Sequence, residues 1–216
     1  MLGALQLAFI DSVNLLLIGV IVAVGIAARS NYVKTTALLI AGDWCGVAGL
    51  ALIMLVIFDG LGPVVQRFVE GPVFGILLIA TGILTAVLAL RGGDNQALVQ
   101  KIMRPLHTPG PATVGTGVVL GLIQSATSLP FYGGLALLSA AGVDAQVRYA
   151  AIPLYATVAL SLPTLAALAV GWVRAKPDSA AARGFDWARA HPDQVTSAAT
   201  WSVAVLLIVL GVTHMV

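Results

Sequence analysis

GLIQSATSLPFYGG, residues 121–134, interrupts the fourth long apolar run of the chain with groups that hydrocarbon cannot satisfy. Gln124, Ser125, Thr127, Ser128 and Tyr132 bring uncharged polar side chains, and Pro130 and the Gly133/Gly134 pair are helix breakers. Such groups belong against a protein interior or a wet cavity. Pro130 removes one helical hydrogen bond and crowds the turn before it, while the neighbouring hydroxyls can take up the freed backbone groups. The pattern predicts a helix broken at a substrate site. A proline-kinked helix packed on its neighbours has the same local signature, so the weight falls on the rest of the chain.

The setting is a membrane. Of 216 residues, 59% are hydrophobic and only 9% are charged, with a mean hydropathy of +1.01. Soluble domains carry about 25% charged residues, so an integral membrane protein is expected. Six apolar runs, at about 4–27, 36–58, 73–90, 112–140, 149–173 and 197–215, are each near the ~20 residues that a crossing takes. The expected fold is all-α: a polytopic membrane protein with six transmembrane helices in one domain over 1–216. The N-terminus enters apolar sequence without the basic stretch of a cleavable signal, and the first basic residue is Arg29.

Charge placement predicts the orientation. The loops after the first, third and fifth runs hold nine of the basic residues, among them Arg29, Lys34, Lys101, Arg104, Arg174 and Lys176. The other two loops hold only Arg67 and Arg148. The bias places the odd loops in the cytoplasm, including a linker at about 92–111, and both termini outside. GPVVQRFVEG (62–71) predicts a short interfacial helix with Pro63 in its first turn. DSAAARGFDWARAH (178–191) predicts a second, capped by Asp178, carrying Phe185 and Trp187 to the headgroups and ended by Pro192; a solvated helical linker fits it nearly as well. Gly42 with Gly46, and Gly117 with Gly121, form two GxxxG pairs, which predict close helix packing.

The two halves repeat weakly. At an offset of about 115 residues SVNLLLIG (12–19) falls on TSLPFYGG (127–134), so that Gly19 meets Gly134 and Leu15 meets Pro130. One residue of slippage later, Lys34 falls on Arg148 and Asp43 on Thr157. Three spans per half force opposite orientations, so repeat one (about 1–91) and repeat two (about 112–216) would be inverted, the usual architecture of secondary transporters.

Asp11 and Asp43 are the two carboxylates inside the apolar runs, and no Lys or Arg lies there to neutralise them. Each costs about 2.5–3.5 kcal/mol near a helix centre if charged. They must then be protonated part of the time, face water or bind a cation. At 1.5 Å per residue, Asp11 is expected about 10 Å below the outer surface and Asp43 about 10 Å above the inner one. Asn14 is expected one turn from Asp11 on the same helix face. Read functionally, the two acids couple proton or cation movement to transport. Read structurally, each is a neutral or water-bonded carboxyl lining an interface. Thr81, Thr85, Tyr155, Thr157 and Ser161 are weaker candidates for the same cavity, because such hydroxyls often bond back to their own helix.

Several chemistries are disfavoured. Cys45, the single cysteine, permits no intramolecular disulfide or CxxC pair, and beside Trp44 it is read as a buried apolar residue. His107, His191 and His214 have no ligand-like spacing, so no metal site and no cofactor are expected. No Ser–His–acid set or phosphate-cradling glycine loop is present, so an enzyme is not expected. A net charge of +2 gives no reason to expect nucleic acid.

The segments AFIDSVNLLLIG (8–19), LPFYGGLALLSAAG (129–142) and YATVALSLP (155–163) resemble the lysine-exporter superfamily of six-span bacterial transporters. The nearest likeness within it is to the glycolipid-addressing branch, the peptidoglycolipid- and sulfolipid-addressing proteins. The resemblance implies an inner-membrane protein with inverted three-helix repeats that moves lipids or small solutes outward. Superfamily members place a proline after the polar residue of the first span; here Asn14 is followed by Leu15, which puts a break in that span in question. A related branch of thiol–disulfide carriers needs a cysteine in each half, and Cys45 has no counterpart.

The resulting expectation is a proton- or cation-coupled exporter in the bacterial inner membrane. Its site would lie between spans one and four, with Asp11 and Asn14 on one wall, residues 124–132 on the other and Asp43 as inner gate. Resemblance makes the cargo a glycolipid or other amphipathic molecule, with an amino acid or metal cation as the alternative. The expected partners are membrane lipid, substrate, protons or a cation, and further copies of the chain. The other class is a non-transporting scaffold of a lipid-export machine.

Overall fold

The computed structural model of the chain describes residues 2–27, 31–91, 106, 108–176 and 178–215. Most of the expected 92–111 linker lies outside that set, as do Arg29, Lys101, Arg104 and His107. The fold is all-α, with no strand among the described residues. In chain order the helices are α1 (Leu2–Asp11), α2 (Leu15–Ala27), α3 (Tyr32–Glu70), α4 (Pro72–Arg91), α5 (Pro111–Ala126), α6 (Leu129–Ser139), α7 (Ala145–Ala150), α8 (Ile152–Ala159), α9 (Ser161–Ala175), α10 (Ala180–Ala190) and α11 (Pro192–Met215).

By length and composition, α3 alone is long and apolar enough to cross a membrane outright. Three bent pairs pass the same test when each is taken as one span: α1 with α2 (48°), α5 with α6 (77°), and α7–α8 with α9 (42°). The described residues thus offer up to four crossings, and the apolar parts of α4 (Pro72–Leu84) and α11 (Ala204–Met215) are shorter. Large apolar side chains such as Ile53, Val56 and Ile57 stand exposed on α3, as on a surface that meets lipid.

Four elements converge on the main core. Ala4 and Ala8 of α1, Val47, Ala51 and Leu55 of α3, Phe131 and Leu135 of α6, and Ile152 and Tyr155 of α8 pack together. A second cluster joins Leu17, Val20 and Val24 of α2 to Leu39 of α3, Leu120 of α5 and Val170 of α9. Leu7 and Ile10 of α1 reach Phe74 and Leu78 of α4 and Leu207 of α11 in a third. Each core mixes elements from before residue 92 with elements from after residue 105, so the two halves of the chain interlock.

The GxxxG pairs pack against each other. Gly42 and Gly46 of α3 meet Gly117 and Gly121 of α5, and a Cβ added to Gly46 would lie 2.5 Å from the Val118 carbonyl. Only glycine lets the two backbones come this close. A looser version joins α4 to α11, where a Cβ on Gly82 would lie 2.8 Å from the Ala204 carbonyl.

The short helix expected at 62–71 is present as the last part of α3: the backbone is non-helical at Gly62 (φ 16°, ψ −90°), and a second helical segment begins there with Pro63 in its first turn and ends at Glu70. Beyond the kink, Val65 and Val69 turn inward onto Ala136 of α6. The second surface helix is α10, but Ser179 supplies its cap, accepting the Ala182 N–H at 3.1 Å, rather than Asp178.

Candidate functional site

The site forms where two broken helices face each other. α1 stops at Asp11. The Ser12 hydroxyl donates to the Phe9 carbonyl at 2.5 Å, and the Asn14 side-chain oxygen accepts the Leu17 N–H at 3.0 Å, capping α2. A cap of this kind is worth about 1 kcal/mol. Two expectations are overturned here. Asn14 does not extend the face of α1 beside Asp11, because the helix has ended and Asn14 opens the next one. Leu15 in place of proline does not prevent the break, because a side-chain cap terminates the helix without one.

The second break follows Ala126. The Thr127 hydroxyl donates to the carbonyls of Ile123 (3.0 Å) and Gln124 (3.1 Å), closing the end of α5. Ser128 then caps α6, its hydroxyl oxygen accepting the Phe131 N–H at 3.2 Å. Pro130 falls in the first turn of α6, where the missing N–H has no intrahelical partner to lose.

Between the breaks lies a cavity of about 360 Å³ lined by Asp11, Asn14, Leu16, Gln124, Thr127 and Ser128 among others. The Ser128 hydroxyl donates to Asp11 Oδ1 across it. Asn14 Nδ2 donates to Gln124 Oε1. Gln124 Nε2 in turn donates to both oxygens of Asp43, at 3.0 Å and 2.8 Å. Asp43 is fully buried, and it meets Gln124 because the glycine contact draws α3 onto α5 one turn earlier. Asp43, Gln124, Asn14 and the Leu17 amide thus form one line of hydrogen bonds from the buried acid to the cap of α2. The acids expected at opposite depths both converge on the same pair of breaks.

Other candidates from the sequence stand apart. Ser125 is buried one residue along from Gln124, off the cavity wall, and its hydroxyl has no hydrogen-bond partner among the described residues. Tyr132 donates to the Ala126 carbonyl at 3.1 Å, bracing the bend, and faces a separate apolar cavity of about 270 Å³ beside Phe58, Phe68 and Phe74. Tyr155 is buried against Gly134 and donates to the Phe131 carbonyl at 3.1 Å. Thr157 donates to its own helix at Pro153 (2.7 Å) and accepts the Trp44 indole N–H (3.2 Å). Cys45 is exposed, not buried as expected, because it lies on the outward side of α3.

Two arginine contacts escaped the sequence. Arg148 pairs with Asp59 at 3.0 Å and donates to the Ser139 carbonyl (3.3 Å) at the end of α6, while Ser139 donates to Asp59 at 2.6 Å. Arg174 donates to the Gly25 carbonyl near the end of α2. Partners so far apart in sequence leave no local signal. Comparison with family models, curated proteins and solved structures finds no match for this chain.

Proposed function

We propose that the chain is a secondary exporter of the bacterial inner membrane, coupled to protons or a cation, that moves a glycolipid or other amphipathic molecule outward. The observation that carries this reading is the single cavity between two helix breaks, with Asp11 on its wall and Asp43 wired to it through Gln124 and Asn14. Broken helices around a polar midpoint are how secondary transporters build a substrate site. A cavity of about 360 Å³ suits a headgroup or small solute, so the apolar part of an amphipathic cargo would stay in lipid.

The hydrogen-bond line supplies a coupling mechanism. Charged Asp43 accepts twice from the Gln124 amino group. Once protonated, Asp43 becomes a donor, and the Gln124 carbonyl accepts from it after the amide turns over. The Gln124 amino group then faces Asn14, which must turn its own oxygen inward and surrender the Leu17 N–H. Proton uptake at Asp43 thereby uncaps α2 and loosens the first break.

The proposed topology is six spans in two inverted repeats with both termini outside. Its support is the matching of the two caps: Asn14 and Ser128 lie 114 residues apart, each at the start of the helix after a break. The likeness of residues 8–19, 129–142 and 155–163 to the glycolipid-addressing branch points the same way.

The test compares a deletion strain with strains restored by wild type or by Asp43→Asn at matched protein levels, with surface lipids and medium solutes profiled by mass spectrometry. A lipid lost from the surface and returned by wild type alone is the expected outcome. Return by both proteins would remove the coupling role of Asp43 and favour a scaffold of an export machine. A change confined to an amino acid or a metal ion would keep the exporter and replace the cargo.

A further inference from the structure

A groove of about 930 Å³ lies away from the polar cavity, between α3 and α9. Val33, Ala37, Ile40 and Trp44 line it from α3. Thr164, Leu168, Gly171 and Ala175 line it from α9 at the same 4-3-4 spacing, so one continuous face of each helix forms a wall. Eleven residues of rise make the groove about 17 Å long, close to the ~15 Å of one hydrocarbon leaflet.

One end of this apolar trough is basic. The Arg174 guanidinium sits 5.1 Å from the centre of the Tyr32 ring, and the Lys176 ammonium 4.5 Å from that of Trp172; both rings belong to the groove wall. Lys34 is exposed on the first turn of α3, one turn before Ala37 and on its side of the helix. The acid next to these cations in sequence, Asp178, is exposed on the following turn. A leaflet-long apolar trough ending in aromatic rings and fixed cations matches a lipid with an anionic headgroup.

We infer that the α3–α9 groove is a binding site for an anionic membrane lipid, its acyl chains along the trough and its headgroup on Lys34, Arg174 and Lys176. The site goes beyond the transport reading and holds whether or not the polar cavity carries a cargo. A second copy of the chain is the poorer occupant. Two copies related by a two-fold axis along the membrane normal would bring the same basic ends together, and like charges set face to face oppose association.

The experiment uses the full-length protein in detergent, with phosphatidylglycerol or phosphatidylcholine of identical chains added and bound lipid counted by native mass spectrometry. Wild type is expected to retain phosphatidylglycerol in preference. That preference should fall roughly fivefold for each of Lys34→Gln and Lys176→Gln. Ala37→Trp, which fills the trough, should lower retention of both lipids. Cys45 provides a check on the unmodified chain, since it is the single cysteine, is exposed and lies on the groove wall. Its reaction with a maleimide should slow with phosphatidylglycerol and not with phosphatidylcholine. Equal retention of the two lipids, a preference untouched by the lysine changes, or an unprotected Cys45 would overturn the inference. Rapid Cys45–Cys45 cross-linking between chains would overturn it too, by placing a second copy in the groove.

Discussion

The break between α1 and α2 and the break between α5 and α6 face one cavity and are built differently. The second has a proline in the first turn of α6 and bends by 77°. The first has none and bends by 48°. At the second, Ser128 caps α6 and also donates to Asp11 across the cavity. At the first, Asn14 caps α2 with its oxygen and spends its amino group on Gln124 of the opposite break. A proline ends a helix by itself, through a lost donor and a steric clash. A side-chain cap ends it only by offering the backbone a better partner, and here that partner is tied to a residue 110 positions away. The proline-free break therefore depends on the other half of the molecule, and the proline break does not.

Asn14→Leu should have the largest effect, because it removes the cap and leaves the Gln124 carbonyl without its donor. The sum is about 2–4 kcal/mol of stability, read from thermal or denaturant unfolding in micelles. Ser128→Ala should cost less, about 1–2 kcal/mol, because Pro130 still starts α6 and Asp11 borders a cavity that can admit water. If Ser128→Ala proved the costlier change, the dependence drawn between the two breaks would be reversed. Leu15→Pro is the smallest. Proline fits the first position of a helix, so stability should move by no more than about 0.5 kcal/mol. A loss of several kcal/mol there would mean that the first break needs the freedom that proline removes.

What was legible in the sequence follows the same division. Pro130 and its polar neighbours marked the second break, since proline acts locally whatever surrounds it. The first break was hidden, since Asn14 followed by leucine looks like one polar residue on a continuous helix. The GxxxG pairs signalled close packing, and the structure adds that they are each other's partners. Their effect on the site, pressing Asp43 onto Gln124, depends on which helix meets which. Tyr155 and Thr157 drew attention as polar groups in an apolar stretch. Both are satisfied by carbonyls close at hand, one on α6 and one on their own helix. Arg148 counted in the sequence only as a loop charge, and folding places it 3.0 Å from Asp59.

The wiring of Asp43 also has a consequence for biosynthesis. Its amide partner at the site, Gln124, is 81 residues downstream. At ~5–20 residues per second, a ribosome needs about 4–16 s to make that stretch. Ser128, which serves Asp11, lies 117 residues on and arrives later still relative to its acid. For those seconds both acids sit in a nascent chain whose later half does not yet exist. Until the second broken helix arrives, neither acid has the hydrogen bond that serves it in the folded chain.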